Sequence, residues 1–307
     1  MARYTLRRVV SMLITLWFVV TITFFLMHSI PGGPFDLNEK ALPPQVLEAL
    51  NEKYHLNDPL YKQYFDYLKG VATFELGPSF SRPGITVNQL IEQGFPVSAR
   101  LGGLAALVVI AVGVPVGIVS ALKQNKWEDY LVTIFATLGV AVPGFVLGTL
   151  IVYVFSARMD VLPAYGLDTW KHYIGPVITL SGFSLAFVSR LTRSSLLEVM
   201  QQDYIRTARA KGLPELTVIF KHALKNSLIP VITYMGPMIA AIMTGSFVTE
   251  KIFAIPGMGR HFVESVGNRD YTVLLGTTIF YAAFAIFMIF LVDIAYGLID
   301  PRIKLGD

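Results

Sequence analysis

Apolar and polar stretches alternate along this chain on a scale of about twenty residues. Apolar runs cover 9–30, 101–122, 130–155, 173–189, 228–249 and 273–298. Each is long enough, or nearly so, to cross about 30 Å of hydrocarbon as a helix. Six crossings bring both ends of the chain to one side. The first run follows Arg3, Arg7 and Arg8, as in a secretory signal, but at 22 residues it is too long for a signal core. It ends at Pro31-Gly32-Gly33-Pro34 without a small-x-small cleavage site, so it reads as a retained first span.

Residues 31–98 are polar and aromatic. Asn51 to Leu68 alternates apolar and polar groups at helical spacing, and Gly70 to Pro96 is rich in Gly, Pro and Phe. Tyr54, Tyr61, Tyr64, Phe65 and Tyr67 are too many aromatics for a disordered spacer, which predicts a small folded subdomain outside the membrane. Within the spans, Gly113, Pro115 and Gly117, then Gly139, Pro143, Gly144 and Gly148, suit close helix contacts or kinks. Pro143 is the best placed for a bend. Asp293 is the one clear intramembrane acid; with Arg302 in reach it suits a polar anchor better than a proton relay, which needs more buried partners.

Composition agrees with the pattern. Hydrophobic residues make up 54% of the chain, charged residues 15%, and mean hydropathy is +0.57, which excludes an ordinary soluble domain. The inner segments carry 14 Lys/Arg and the much longer outer segments 11, with 13 acids outside against 7 inside. By density this places both termini in the cytoplasm. A net charge of +4 spread in this way speaks for topology, not for nucleic acid.

There are no cysteines, and the five histidines have no ligand spacing, so no metal site is expected. The sequence has no G-x-x-x-x-G-K-[ST], G-x-S-x-G or H-E-x-x-H pattern, so the chain is read as a non-enzyme that draws any energy for uphill transport from elsewhere.

The stretch 190–225 carries seven Lys/Arg against Glu198, Asp203 and Glu215. Tyr204 to Lys211 favours a helix, Gly212 suits a left-handed stop, and Leu213 and Pro214 restart the chain. Leu216, Ile219, Phe220, Ala223 and Leu224 then repeat at helical spacing. A helix, sharp turn and helix are predicted at the membrane surface. Two roles fit: a basic segment lying on anionic lipid, or a docking element for a soluble partner.

Arg206-Thr207-Ala208 through Gly212 resembles the EAA loop of bacterial ABC importer permeases, in the form typical of peptide and nickel systems. Arg206 stands where the general loop has Glu, Thr207 where it has its first Ala, and Lys225 where it has a late Pro, while Ala208 and Gly212 match. Over nearly the whole chain, HSIPGGPF (28–35), YHLNDPLYKQYFDYLKG (54–70), LGPSF (76–80), VTEKIFAIPGMG (248–259) and NRDYTVLLG (268–276) are similar to the B-type peptide permease subunits.

The resemblance implies an all-α polytopic membrane protein with six transmembrane helices, in the type I importer architecture. Its parts would be an inner N-terminus and first helix (1–30), an extracytoplasmic insertion (31–98), and a permease core (99–307) with a coupling loop (190–227). The expected partners are a second homologous permease, two ABC ATPase subunits, an extracytoplasmic peptide-binding protein and membrane lipid. ATP and Mg2+ would bind the ATPases, and this chain would hold no cofactor.

The cargo would be dipeptides or oligopeptides, with nickel complexes or glutathione as alternatives in the family. An ion-coupled secondary transporter is the alternative of another class, but the two-half repeat often found there is absent. The coupling residues would be Tyr204, Arg206, Thr207, Ala208, Gly212, Leu213, Pro214, Phe220 and His222. Thr233, Tyr234, Met235, Met238, Met243, Thr244 and Ser246 suit a path tolerant of varied side chains, and ordinary helix packing explains them as well. An outer gate is expected at Glu250, Pro256, Gly257 and Gly259. The setting would be the bacterial inner membrane.

Overall fold

A computed structural model of the chain describes residues 2–29, 35 and 44–299. Pro31 to Pro34, Arg302 and Lys304, and with them the end of the first apolar run and the expected Asp293–Arg302 proximity, lie outside the described residues. Fifteen helices follow one another: α1 (Ala2–His28), α2 (Pro44–Lys53), α3 (Leu60–Thr73), α4 (Val87–Val108), α5 (Val114–Leu122), α6 (Trp127–Ala141), α7 (Gly144–Ile151), α8 (Trp170–Met200), α9 (Asp203–Ala210), α10 (Glu215–Thr217), α11 (Leu224–Ser227), α12 (Ile229–Met243), α13 (Phe247–Ile252), α14 (Met258–Gly267) and α15 (Tyr271–Ile299). π-helical segments Val109–Gly113, Val152–Arg158 and Val218–Ala223 join or extend some of them. Among the described residues, five helices are long and apolar enough to cross a membrane, and the α6–α7 pair makes a sixth if counted as one broken span.

Four of the predicted spans are redrawn. The second begins at Val87 rather than Leu101, and the reason is local. Thr86 Oγ accepts from the Gln89 N–H while Gln89 Oε1 accepts from the Thr86 N–H, a reciprocal cap that starts the helix early. The third is not one rod: α6 and α7 meet at 103°. Pro143 lacks an N–H and holds Val142 in an extended conformation (φ −82°, ψ 118°), so the bend falls where the sequence pointed. The fourth runs on to Met200, taking in 190–200, which the sequence reading gave to the loop. The fifth breaks at Gly245, whose φ of +99° suits a residue without Cβ, and restarts at α13 with Ser246 Oγ accepting from the Thr249 N–H.

The chain divides into two compact units. One gathers the described residues up to Val97 with Pro256–Ile286; the other gathers Ser98–Ile255 with the described residues from Phe287 onward. In the first, Phe24, Met27, Tyr271 and Leu275 form a buried cluster against Tyr64, Tyr67 and Phe80. Val87, Leu90 and Val273 form a second.

Asp270, 1% exposed, ties the segments of this unit together. Its carboxylate accepts from Ser79 Oγ (2.5 Å), Ser81 Oγ (2.7 Å), Ser81 N (3.0 Å) and Phe80 N (3.1 Å). Burial pushes its pKa up, but these hydrogen bonds together overcome it and hold the carboxyl below the usual range. A carboxyl whose pKa is depressed on folding stabilises above its unfolded value and loses that contribution as pH falls through the folded one. The melting temperature of the wild-type chain is therefore expected to drop as pH is lowered below about 4, and Asp270→Asn to melt lower at neutral pH with a flatter acid dependence. Equal acid slopes for the two would contradict this.

In the second unit α8 is central, with α5, α6 and α7 packed on it. Gly117 makes the α5 contact possible. A Cβ there would lie 2.5 Å from the Ser189 carbonyl oxygen and 2.7 Å from Thr192 Cβ, whereas one at Gly103 would meet nothing within 4 Å. Gly117→Val is expected to destabilise the chain by about 1–3 kcal/mol or more through overpacking, and Gly103→Ala to leave it nearly unchanged, as measured by thermal unfolding in detergent.

Candidate functional site

The element 203–227 is built on an apolar floor. Ile205 and Ala208 of α9, Val218, Ile219 and Ala223 of the π-helical segment and Leu224 of α11 bury against Leu196 and Ala121. Gly212 turns the chain at φ +75°, with its N–H donating to the Arg209 carbonyl at 2.9 Å. A Cβ at Gly212 would meet no atom within 4 Å, so the demand for glycine comes from backbone conformation and not from crowding within this chain. Across the turn Arg209 grips Glu215 with two bonds, Nη2 to Oε1 at 2.7 Å and Nε to Oε2 at 3.2 Å. Hydrogen bonding to Arg209 holds the Glu215 carboxyl below its usual range. Asn226 Nδ2 donates to Tyr204 Oη at 2.8 Å and ties the second limb to the first.

The helix-turn-helix thus forms as predicted, but its apolar face divides in two. Ile219, Ala223 and Leu224 go down into the floor, while Leu216 and Phe220, read as the same face, stand out at 70% and 65% exposure. A π-helical segment over 218–223 adds a residue to the turn and changes the register of the face. Tyr204 and Leu213 join the exposed apolar group, and Arg206, Lys211, Lys221 and Lys225 are exposed around them. Thr207 is exposed as well, Pro214 precedes α10, and His222 is half-buried. Exposed apolar side chains interspersed with exposed basic ones make this element a candidate docking surface.

Below this element is an ion pair that the sequence reading missed. Asp129, in the first turn of α6 and 3% exposed, receives Arg193 Nε at 2.6 Å, Arg193 Nη2 at 2.8 Å, Ser120 Oγ at 2.5 Å and the Asn125 N–H at 3.0 Å. Arg193 was counted with the basic loop; it is a structural cation on α8. The carboxylate joins α5, α6 and α8, two turns before α8 ends. Only the placement of an acid soon after Lys123 and Lys126 hinted at it.

Thr233, Tyr234, Met235, Met238 and Met243 all lie on α12, with Thr244 and Ser246 at the break after it. They do not share one face: Thr233 is exposed, Met238 is buried at 3%, and the Tyr234 ring packs on Phe187 with centroids 4.4 Å apart. Of the four residues expected at an outer gate, Glu250 is in the second unit, 1% exposed, with Ser98 Oγ donating to its Oε1 at 2.7 Å. Pro256, Gly257 and Gly259 belong to the first unit, Pro256 exposed and the two glycines buried.

Comparison with known proteins matches this architecture. Residues 113–305 match the family model of the binding-protein-dependent transport system inner membrane component, and residues 1–96 match the N-terminal model of the same membrane components. The chain therefore belongs to the family of permease subunits of binding-protein-dependent transport systems. It is 48% identical to the dipeptide transport system permease protein DppB of Bacillus subtilis (strain 168), across 99% of both chains. It is 46% identical to the oligopeptide transport system permease protein OppB of Salmonella typhimurium, across 99% of this chain and all of the other. Among solved structures, an inward-facing MetNI methionine ABC transporter superposes with a TM-score of 0.53 at 15% identity, covering 71% of this chain and 97% of that one, a likeness of fold.

Proposed function

We propose that this chain is the membrane-spanning subunit of an ATP-driven importer of dipeptides or oligopeptides delivered by an extracytoplasmic binding protein. The observation that carries the reading is the end-to-end identity to peptide permeases, 48% and 46%. A second permease and two ATPase subunits complete the unit, and ATP and Mg2+ act on the ATPases. The exposed Leu213, Leu216 and Phe220 support a docking role for 203–227, because an apolar knob of this kind is costly to leave in water. Peptide passes along the permease pair, with α12 and the segment after it contributing the path and the outer gate. Both termini are cytoplasmic.

Two measurements test this assignment. Single cysteines placed at Asn57 and Asp168 are expected to react with an impermeant thiol reagent from outside, and one at Asn226 to react only after lysis; outside labelling at Asn226 would reverse the orientation. For coupling, Gly212→Val forces a Cβ into a left-handed turn at about 1 kcal/mol or more, so ATPase co-purification and transport are expected to fall while membrane insertion is kept. Full recovery of both would return the element to a basic membrane-surface segment.

A further inference from the structure

His28 and residues from three of the sequence stretches singled out above, 54–70, 76–80 and 268–276, meet around one cavity in the first unit, of about 260 Å3. That is close to the lower end of the roughly 300–1,000 Å3 usual for small-molecule sites. Its wall is aromatic: the rings of Phe24, Tyr54, Tyr67, Phe80 and Tyr271 all contribute. Two ring clusters supply them. Phe24 stacks with Tyr67 at 5.9 Å, and Tyr54 packs on Phe80 at 5.0 Å.

The charged lining is one-sided. Asp66 and Glu75, both exposed, lie on the cavity, and among its described lining residues there is no Lys or Arg. Its two histidines are already engaged, His28 with the Phe24 carbonyl and Gln63, His55 near Asp58. Aromatic faces carry negative charge density, and carboxylates add to it. Such a wall, with two carboxylates and no Lys or Arg among its described lining residues, favours a cation with an apolar body over an anion.

We infer that this cavity is a binding site for an organic ammonium with an apolar or aromatic substituent, held by Asp66 and Glu75 and by the rings of Phe24, Tyr54, Phe80 and Tyr271. Two sources carry that chemistry, the free amino end of a small soluble amine and the headgroup of an aminolipid. The inference rests on the cavity alone and not on peptide import.

The test uses the full-length chain in lipid nanodiscs of phosphatidylglycerol, with calorimetric titration of phenethylamine and of its neutral isostere 2-phenylethanol. Phenethylamine is expected to bind saturably, at least about tenfold tighter than the alcohol, as one charged pair with ring contacts would give. Asp66→Asn with Glu75→Gln, at exposed positions where folding is not at risk, is expected to weaken the amine about tenfold and leave the alcohol unchanged. Tyr54→Leu should weaken both. Repeating the titration with phosphatidylethanolamine in the disc separates the sources: competition assigns the site to the lipid headgroup, and unchanged affinity to a soluble amine. No saturable binding, equal affinity for amine and alcohol, or an amine affinity untouched by loss of both carboxylates would overturn the inference.

Discussion

Asp129→Asn is expected to destabilise the protein strongly for so conservative a substitution. The carboxylate is 3% exposed and receives four donors from Arg193, Ser120 and Asn125. The amide that replaces it keeps the shape, loses the charge and presents N–H groups to donors. Breaking a buried pair from one side costs about 3–5 kcal/mol because the other charge stays behind in a poor medium. The lower end is expected, since the Arg193 side chain retains 28% exposure and some water. Arg193→Met should cost a similar amount, and the double variant Asp129→Asn with Arg193→Met less than the sum, because no charge is then stranded. Unfolding midpoints of the four proteins in one detergent give the cycle. Additive losses would mean that the pair does not act as a unit.

Phe220→Asp is expected to have the largest effect on transport while leaving the fold intact. Phe220 is 65% exposed and contributes nothing to the floor formed by Ile205, Ala208, Val218 and Leu224, so the isolated chain should melt as before. On the proposed docking role this ring would anchor the contact with the ATPase, and loss of an aromatic anchor costs about 2 kcal/mol or more of association, roughly thirtyfold in affinity. A carboxylate in its place adds the cost of burying a charge without a partner. ATPase recovered with the variant, and peptide taken up by it, should fall together. Lys221→Gln, on the basic rim, should change them little and mainly at low salt. If Phe220→Asp instead lowers the melting temperature of the isolated chain, the ring is part of the core and the knob has been misplaced.

The sequence exposed some of this architecture and hid the rest for identifiable reasons. Apolar run length reveals a span because hydrocarbon thickness sets it, and Pro143 and Gly212 reveal a bend and a left-handed turn because each removes or permits one backbone conformation. Run length says nothing about where a helix continues into water. Thus α4 starts fourteen residues before the predicted Leu101, at a Thr86–Gln89 cap, and α8 passes through the basic stretch to Met200.

Helical periodicity failed on Leu216 and Phe220 because a π-helical segment displaces the register. Pairing was the least legible feature. Asp270 and Ser79 are 191 positions apart, and Arg193 and Asp129 are 64 apart, so no local pattern joins them. Arg193 is one of the seven cations counted in the basic stretch, and in the fold it is bound to Asp129. What a Lys/Arg count measures is composition; which cation is already bound to a carboxylate depends on the fold.

As proposed, this chain forms the membrane path of a peptide importer and takes its energy from a docked ATPase. Proteoliposomes containing this chain, a second permease and the two ATPase subunits, with ATP inside and a loaded peptide-binding protein outside, test it most directly. Labelled dipeptide or oligopeptide is expected to accumulate inside only when all components and hydrolysable ATP are present, and to stop accumulating when Phe220→Asp replaces the wild-type chain. Peptide uptake that proceeds without ATP and responds to an imposed ion gradient would contradict the account.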